Sequence, residues 1–178
     1  SHHNQNRRSH LPRDDLMIQL KLPADEASIR ALKVGDEVAI SGVMITARDA
    51  AHKYMVEEDA TEVRDVLKDG MIYHCGPVVA KEAGEWRFVA AGPTTSKREE
   101  PYEADVIARY GVRGMGEKTL AACKEHGAVY LHAIGGLAVI LARSVKKVQT
   151  VHKLDEFGAP EAMWVIQVEN FQAVGTME

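Results

Sequence analysis

Two strand-to-helix junctions in this sequence carry groups able to hold an anion. In Ala91-Gly92-Pro93-Thr94-Thr95-Ser96-Lys97-Arg98, hydroxyls and two cations follow a strand-like run and precede a helix-like one. Hydroxyls and the unpaired amides of a helix N-terminus, aimed at one point, make a cradle for a carboxylate or phosphate. The same residues also suit a plain capping loop in which Thr95 or Ser96 satisfies those amides. The glycine-lysine signature of a nucleotide-binding P-loop is absent. At the second junction, Ile45-Thr46-Ala47-Arg48-Asp49, the Arg48 guanidinium can clamp a carboxylate through two parallel hydrogen bonds. A solvated arginine paired with Asp49 or a nearby glutamate is the other reading.

Other reactive side chains point to packing. His74 beside Cys75, and His132 before Gly135-Gly136, are flanked by apolar residues, and no base accompanies the thiol; such groups are mostly core residues. His52-Lys53 is expected to cap or decorate a helix. Trp86, Phe88 and Trp164 lie in strand-like runs and read as core or interface.

The elements that must position these residues follow from periodicity and turn chemistry. Alternation predicts a strand over 17–22, with Ile18, Leu20 and Leu22 inward. A short helix over 24–32 follows, then strands over 37–40 and 43–46 separated by Gly42, and a helix start at 48–53 whose continuation to 67 is helical in parts. A strand over 71–73, a kink at 74–77 and a hairpin of 78–80 with 86–91 come next. Helices over 101–110 and 118–125, a strand over 129–132, a helix over 137–142 and strands over 148–151 and 164–168 complete the chain. A strand-rich first half and an alternating second half predict an α/β domain with a mixed sheet.

Composition bounds the function. The chain has 178 residues, 46% hydrophobic and 27% charged, enough for one ordinary core. Its net charge of -4 is opposite to the basic footprint of a nucleic-acid binder. The longest apolar stretch, 128–142, is broken by His132, Gly135 and Gly136 and falls short of the roughly 20 residues of a membrane span. Cys75 and Cys123 are too few for a disulfide scaffold or zinc site, and reduced thiols fit a cytoplasmic location. Residues 1–16 are polar and lack the apolar run of a secretory signal, so they read as an extension or tag remnant before a domain over 17–178.

Three segments in order and spacing, Thr46-Ala47-Arg48-Asp49-Ala50-Ala51-His52-Lys53, Tyr73-His74-Cys75-Gly76-Pro77 and Ala91 to Arg98, resemble the β subunit or C-terminal domain of class I fumarate hydratases and L-tartrate dehydratases. Two further segments, Gly127 to Gly136 and Phe157-Gly158-Ala159-Pro160-Glu161-Ala162-Met163-Trp164, match the same family. The resemblance implies a three-layer swivelling β/β/α fold. It also implies reversible addition or removal of water across the central carbons of a C4 dicarboxylate, fumarate to (S)-malate, or dehydration of L-tartrate to oxaloacetate. The expected cofactor is an oxygen-sensitive 4Fe-4S cluster ligated by a partner α subunit and not by this chain.

By that resemblance Arg48 and Arg98 bind substrate carboxylates, assisted by Thr95, and Thr94 acts in proton transfer at the reacting carbon with an acidic partner residue. Elimination of water needs a Lewis acid, a base and cations on both carboxylates, and this chain offers the cations and hydroxyls only. One departure stands out. The family's Gly-Lys-Gly-Gly-Met-Gly segment, whose lysine contacts substrate, corresponds here to Gly111-Val112-Arg113-Gly114-Met115-Gly116-Glu117-Lys118. About five residues with that lysine are missing, and Lys118 is the remaining candidate for its role. Either the loop is shortened, leaving a non-catalytic dicarboxylate-binding module, or a loop is omitted from the sequence; the stop at Glu178, before a tail usual in the family, favours omission.

Overall fold

The computed structural model describes residues 17–93, 100–115, 127–133 and 138–175. Its spine is an antiparallel pair of long strands, β2 (Glu37–Thr46) and β9 (Met163–Gly175), in register from Glu37 opposite Val174 to Thr46 opposite Trp164. Both are rich in Val and Ile, and β9 adds Trp164 and Phe171, residues that suit a pleated, two-sided surface. β2 also takes β1 (Ile18–Lys21) and then β3 (Ile72–Tyr73), both parallel to it. β9 takes β8 (Val145–His152) and β7 (Val129–Ala133), both antiparallel. β6 (Gly114–Met115) runs parallel to β7, and a bridge from Met71 to Gly114 joins it back to the residue before β3. These seven strands form one mixed sheet. β4 (Val78–Glu82) and β5 (Glu85–Ala90) make a separate hairpin, turned by Ala83 and Gly84, both at positive φ as a two-residue hairpin loop requires.

Successive strand residues face opposite ways, so the spine feeds two cores. Met44, Trp164 and Ile166 point into one core, shared with β1, the hairpin residue Phe88, α1 (Glu26–Arg30) and α5 (Ala138–Arg143). Ile45, Met163 and Val165 point into the other, against α2 (Asp49–Glu57), α3 (Arg64–Leu67) and α4 (Glu100–Tyr110). Asp25 caps α1 by accepting from the Ser28 amide at 2.7 Å. α4 is pinned to α2 by the Tyr110 hydroxyl, which donates to the Met55 carbonyl at 2.6 Å. A short α6 (Leu154–Phe157) precedes β9.

The fold is α/β with a mixed sheet, as the element pattern predicts, with four corrections. The two strands expected around Gly42 are one strand: the ladder slips between Ile40 and Gly42, and Gly42, at φ 131, carries the bulge where a Cβ would lie 2.6 Å from the Leu22 carbonyl oxygen. β9 runs well past Val168, because the polar pair Glu169 and Asn170 is the other side of that same bulge, facing Ser41, with Asn170 left-handed at φ 53. Of the expected inward residues of β1, Leu20 and Leu22 are buried but Ile18 is exposed. β6 and α6 were too short to leave a periodic signal. Residues 1–16 and the helix expected over 118–125 lie outside the described residues.

Candidate functional site

Arg48 stands where β2 hands over to α2, in extended conformation as the helix N-cap. Its carbonyl accepts both the His52 backbone amide at 3.0 Å and the His52 ring at 2.8 Å. A carbonyl can only accept, so the ring proton sits on Nδ1. The guanidinium lies over Gly76, where a Cβ would come within 2.9 Å of Nη1. Its Nε is 3.8 Å from Glu161 Oε1, with the two side chains 29% and 28% exposed. That separation is an ion pair without a hydrogen bond, and Arg48 Nε and Glu161 Oε2 are buried atoms with no hydrogen-bond partner. Arg48 is thus paired with a glutamate, as the plainer reading expected, and with Glu161 rather than Asp49.

The kink over 74–77 is the hub around Arg48. Tyr73 donates its hydroxyl to the Ala91 carbonyl at 2.6 Å, and Cys75 forms an antiparallel bridge with Pro93. Both ties anchor the start of the threonine segment beside Arg48. On the other side, the Ala91 amide donates to the Ala138 carbonyl at 3.0 Å, just past the Gly135-Gly136 segment. Glu161 is carried by a turn that Trp164 fixes: its indole Nε1 donates to the Ala159 carbonyl at 2.8 Å, and its backbone amide donates to Thr46 Oγ1 at 3.3 Å. Segments far apart in the chain thus meet at Arg48. Thr94, Thr95, Arg98 and Lys118 lie outside the described residues.

Beneath Arg48 the polar side chains are buried. His52 is wholly buried rather than decorating α2, while Lys53 beside it is exposed. His74 is packed as expected, its ring edge-on to His52 at 4.9 Å between centroids, with Nδ1 3.7 Å from Glu103 Oε1 of α4. His132, expected in the core, is exposed on β7. Glu103 and Glu161 escaped the sequence reading. An acidic residue in a first helical turn is ordinary complementation of the helix dipole, and Glu161 stood out only by its place in the segment 157–164.

Burial sets the protonation states. Desolvation pushes His52 down to about 4, and desolvation with the neighbouring His52 holds His74 well below the usual imidazole range. Both rings are neutral at pH 7. Desolvation lifts the Cys75 thiol to about 12, so it is not a thiolate. Among the described residues no group of His, Cys, Asp and Glu is arranged to hold a metal ion. The unfolded chain protonates these histidines near pH 6.5 and the folded chain does not, so stability is full above pH 6.5 and declines as pH falls toward 4. His52 alone accounts for about 3 kcal/mol of that decline, read as the denaturant midpoint against pH. A His52→Asn variant should flatten the slope.

Gly76→Ala is expected to displace the Arg48 side chain and to destabilise by about 1–3 kcal/mol, since the added methyl meets Nη1 and Cδ at 2.9 and 3.2 Å. A thermal melt and a titration with a C4 dicarboxylate check the two parts.

The family model described as fumarase C-terminus matches residues 2–178. A provisionally named class I fumarate hydratase of Geobacillus stearothermophilus is 52% identical over 169 residues, covering 91% of this chain and 32% of that protein. A provisionally named L(+)-tartrate dehydratase β subunit of Methanocaldococcus jannaschii is 41% identical, over 80% of this chain and 77% of its own length. The L(+)-tartrate dehydratase β subunit of Escherichia coli is 34% identical, over 85% and 78% respectively. The chain spans about a third of the length of the first relative and over three quarters of the other two. A match over nearly the whole chain, with relatives above 30% identity, gives the family: this chain belongs to the fumarase C-terminus family.

Proposed function

We propose that this chain is the β part of a hydro-lyase that reversibly hydrates fumarate to (S)-malate, working with a cluster-bearing α subunit. The observation that carries the reading is the meeting of segments 73–77 and 157–164 at Arg48, with the start of the threonine segment tied to the first of them. Arg48 holds one carboxylate of the substrate. Arg98 and Thr95 hold the other, and Thr94 stands at the reacting carbon, where proton transfer requires an acidic residue of the partner, since an isolated threonine hydroxyl is a poor base. Lys118 is the candidate for the remaining substrate contact. Cations on both carboxylates stabilise the charge that develops when a proton leaves the carbon next to one of them.

The 4Fe-4S cluster, when bound, supplies the Lewis acid for the departing hydroxyl. The described residues here do not suit its ligation, because the Cys75 thiol is buried and protonated and no donor group is clustered. The cluster belongs to the partner on this reading. The three-layer swivelling arrangement, a single domain over 17–178 and a cytoplasmic location are parts of the same proposal. No described helix is long and apolar enough to cross a membrane.

L-Tartrate dehydration is the second reading, favoured by relatives named as separate β subunits whose lengths this chain largely spans. An anaerobic assay of fumarate hydration and of L-tartrate dehydration, with the chain alone and co-expressed with its α subunit, tests both. Activity in the pair and not in the chain alone is expected, and the faster substrate names the reaction. Silence on both substrates with the partner bound and its cluster intact would overturn the reading and leave a non-catalytic dicarboxylate module.

A further inference from the structure

Tyrosines aside, the buried polar or charged side chains among the described residues are Thr46, His52, His74 and Glu103, and they gather at one place. Thr46 is two residues before Arg48, His52 is one turn after it, His74 is two residues before the glycine that Arg48 covers, and Glu103 faces His74 from α4. Burying such groups is costly, and replacing a buried ion-pair-like contact with apolar residues of similar size is often neutral or stabilising. The remaining buried positions here are filled almost entirely by apolar side chains. Packing alone would not have called for two imidazoles and a carboxyl at this corner.

We propose that Glu103, His74 and His52 are positioning residues that set Arg48 for the substrate carboxylate, an inference that rests on Arg48 being a carboxylate-binding group. The contacts run in series. Glu103, on the first turns of the helix that follows the threonine segment, meets the His74 imidazole at 3.7 Å. The His74 ring abuts the edge of His52 at 4.9 Å and 76°. His52 fixes the Arg48 peptide through two hydrogen bonds to one carbonyl, at 3.0 and 2.8 Å. His52 Nε2 is left as a buried lone pair with no partner, so the ring is held by Nδ1 and by its neighbours' shape. The line joins the backbone of Arg48 to α4. Pre-set geometry of this kind is what carboxylate recognition by a guanidinium needs, since small misplacements of a binding group cost heavily.

The test uses the assembled enzyme with its partner, and succinate as a C4 dicarboxylate that carries no group to eliminate. Glu103→Gln, an isosteric change, is expected to raise both the succinate Kd and the substrate KM by about tenfold, with kcat changed less than about threefold. In an Arg48→Ala background the same change should add less than about twofold, because its effect passes through Arg48. Paired apolar replacement, Glu103→Leu with His74→Leu, should keep or raise Tm while weakening succinate binding; it also serves if Glu103→Gln fails to fold. A merely structural role predicts the reverse, with Tm falling and Kd unmoved. Unchanged Kd in Glu103→Gln alongside a large Arg48→Ala effect would overturn this proposal alone, as would full additivity. An Arg48→Ala variant that binds succinate normally would instead overturn the carboxylate reading of Arg48, and this proposal with it.

Discussion

Arg48→Ala in the assembled enzyme is expected to lower kcat/KM about a hundredfold or more, a loss of roughly 3 kcal/mol. A charge-assisted contact to a carboxylate in a half-buried setting contributes most of that. The rest comes from Glu161, whose carboxylate lies 3.8 Å from Arg48 Nε and would be left facing an anionic substrate without its cation. The two contributions separate experimentally. Glu161→Gln added to Arg48→Ala should recover part of the lost affinity by removing repulsion, while Arg48→Lys should recover charge but not the two-pronged geometry. Steady-state kinetics across these variants at fixed ionic strength is the check. A loss under about threefold in Arg48→Ala would remove this residue from the binding site.

Trp164→Ala should have the largest effect on stability, about 3–5 kcal/mol out of a total that is typically 5–15 kcal/mol. Trp164 is fully buried, stacks edge-on with Trp86 at 5.2 Å and Phe88 at 5.9 Å, and sits at the end of the β2–β9 ladder opposite Thr46. Its truncation opens a cavity between the sheet and the hairpin. Trp164→Phe keeps most of the volume and loses the indole N–H bond to Ala159, so about 1–2 kcal/mol is expected. The milder variant is the more informative for function, because Ala159 leads into Glu161 and a loosened turn frees the Arg48 partner. Chemical denaturation gives the first figure; substrate KM in Trp164→Phe gives the second effect.

How much of this was legible in the sequence differs by element. Junctions were readable because their chemistry is local: Arg48 before a helix start and the kink at Gly76-Pro77 fall where turn residues place them. The hairpin at Gly84 was readable for the same reason. Strand lengths were not. Gly42 and Glu169-Asn170 look like breaks, yet they belong to one bulge between two strands whose continuity is decided across the sheet. The buried polar corner was the least legible. His52 sits next to an exposed lysine and reads as surface, and its burial depends on His74 and α4 arriving from elsewhere in the chain. Glu103 likewise reads as a helix-start acid until His74 is seen facing it. The family segments singled out Arg48 through their order, whereas the buried polar side chains beneath it came together only by tertiary contact.

The β2–β9 ladder has a consequence for synthesis. Glu37 pairs with Val174 and Thr46 with Trp164, so the central seam closes between chain positions more than a hundred residues apart. At ribosomal rates of about 5–20 residues per second, β2 emerges on the order of ten seconds before its partner. During that interval a ten-residue apolar strand has an unfilled edge, a template for pairing with another nascent chain. Slowing the ribosome late in the message, or cutting the chain before Met163, would therefore be felt as lost soluble yield rather than as a weaker enzyme.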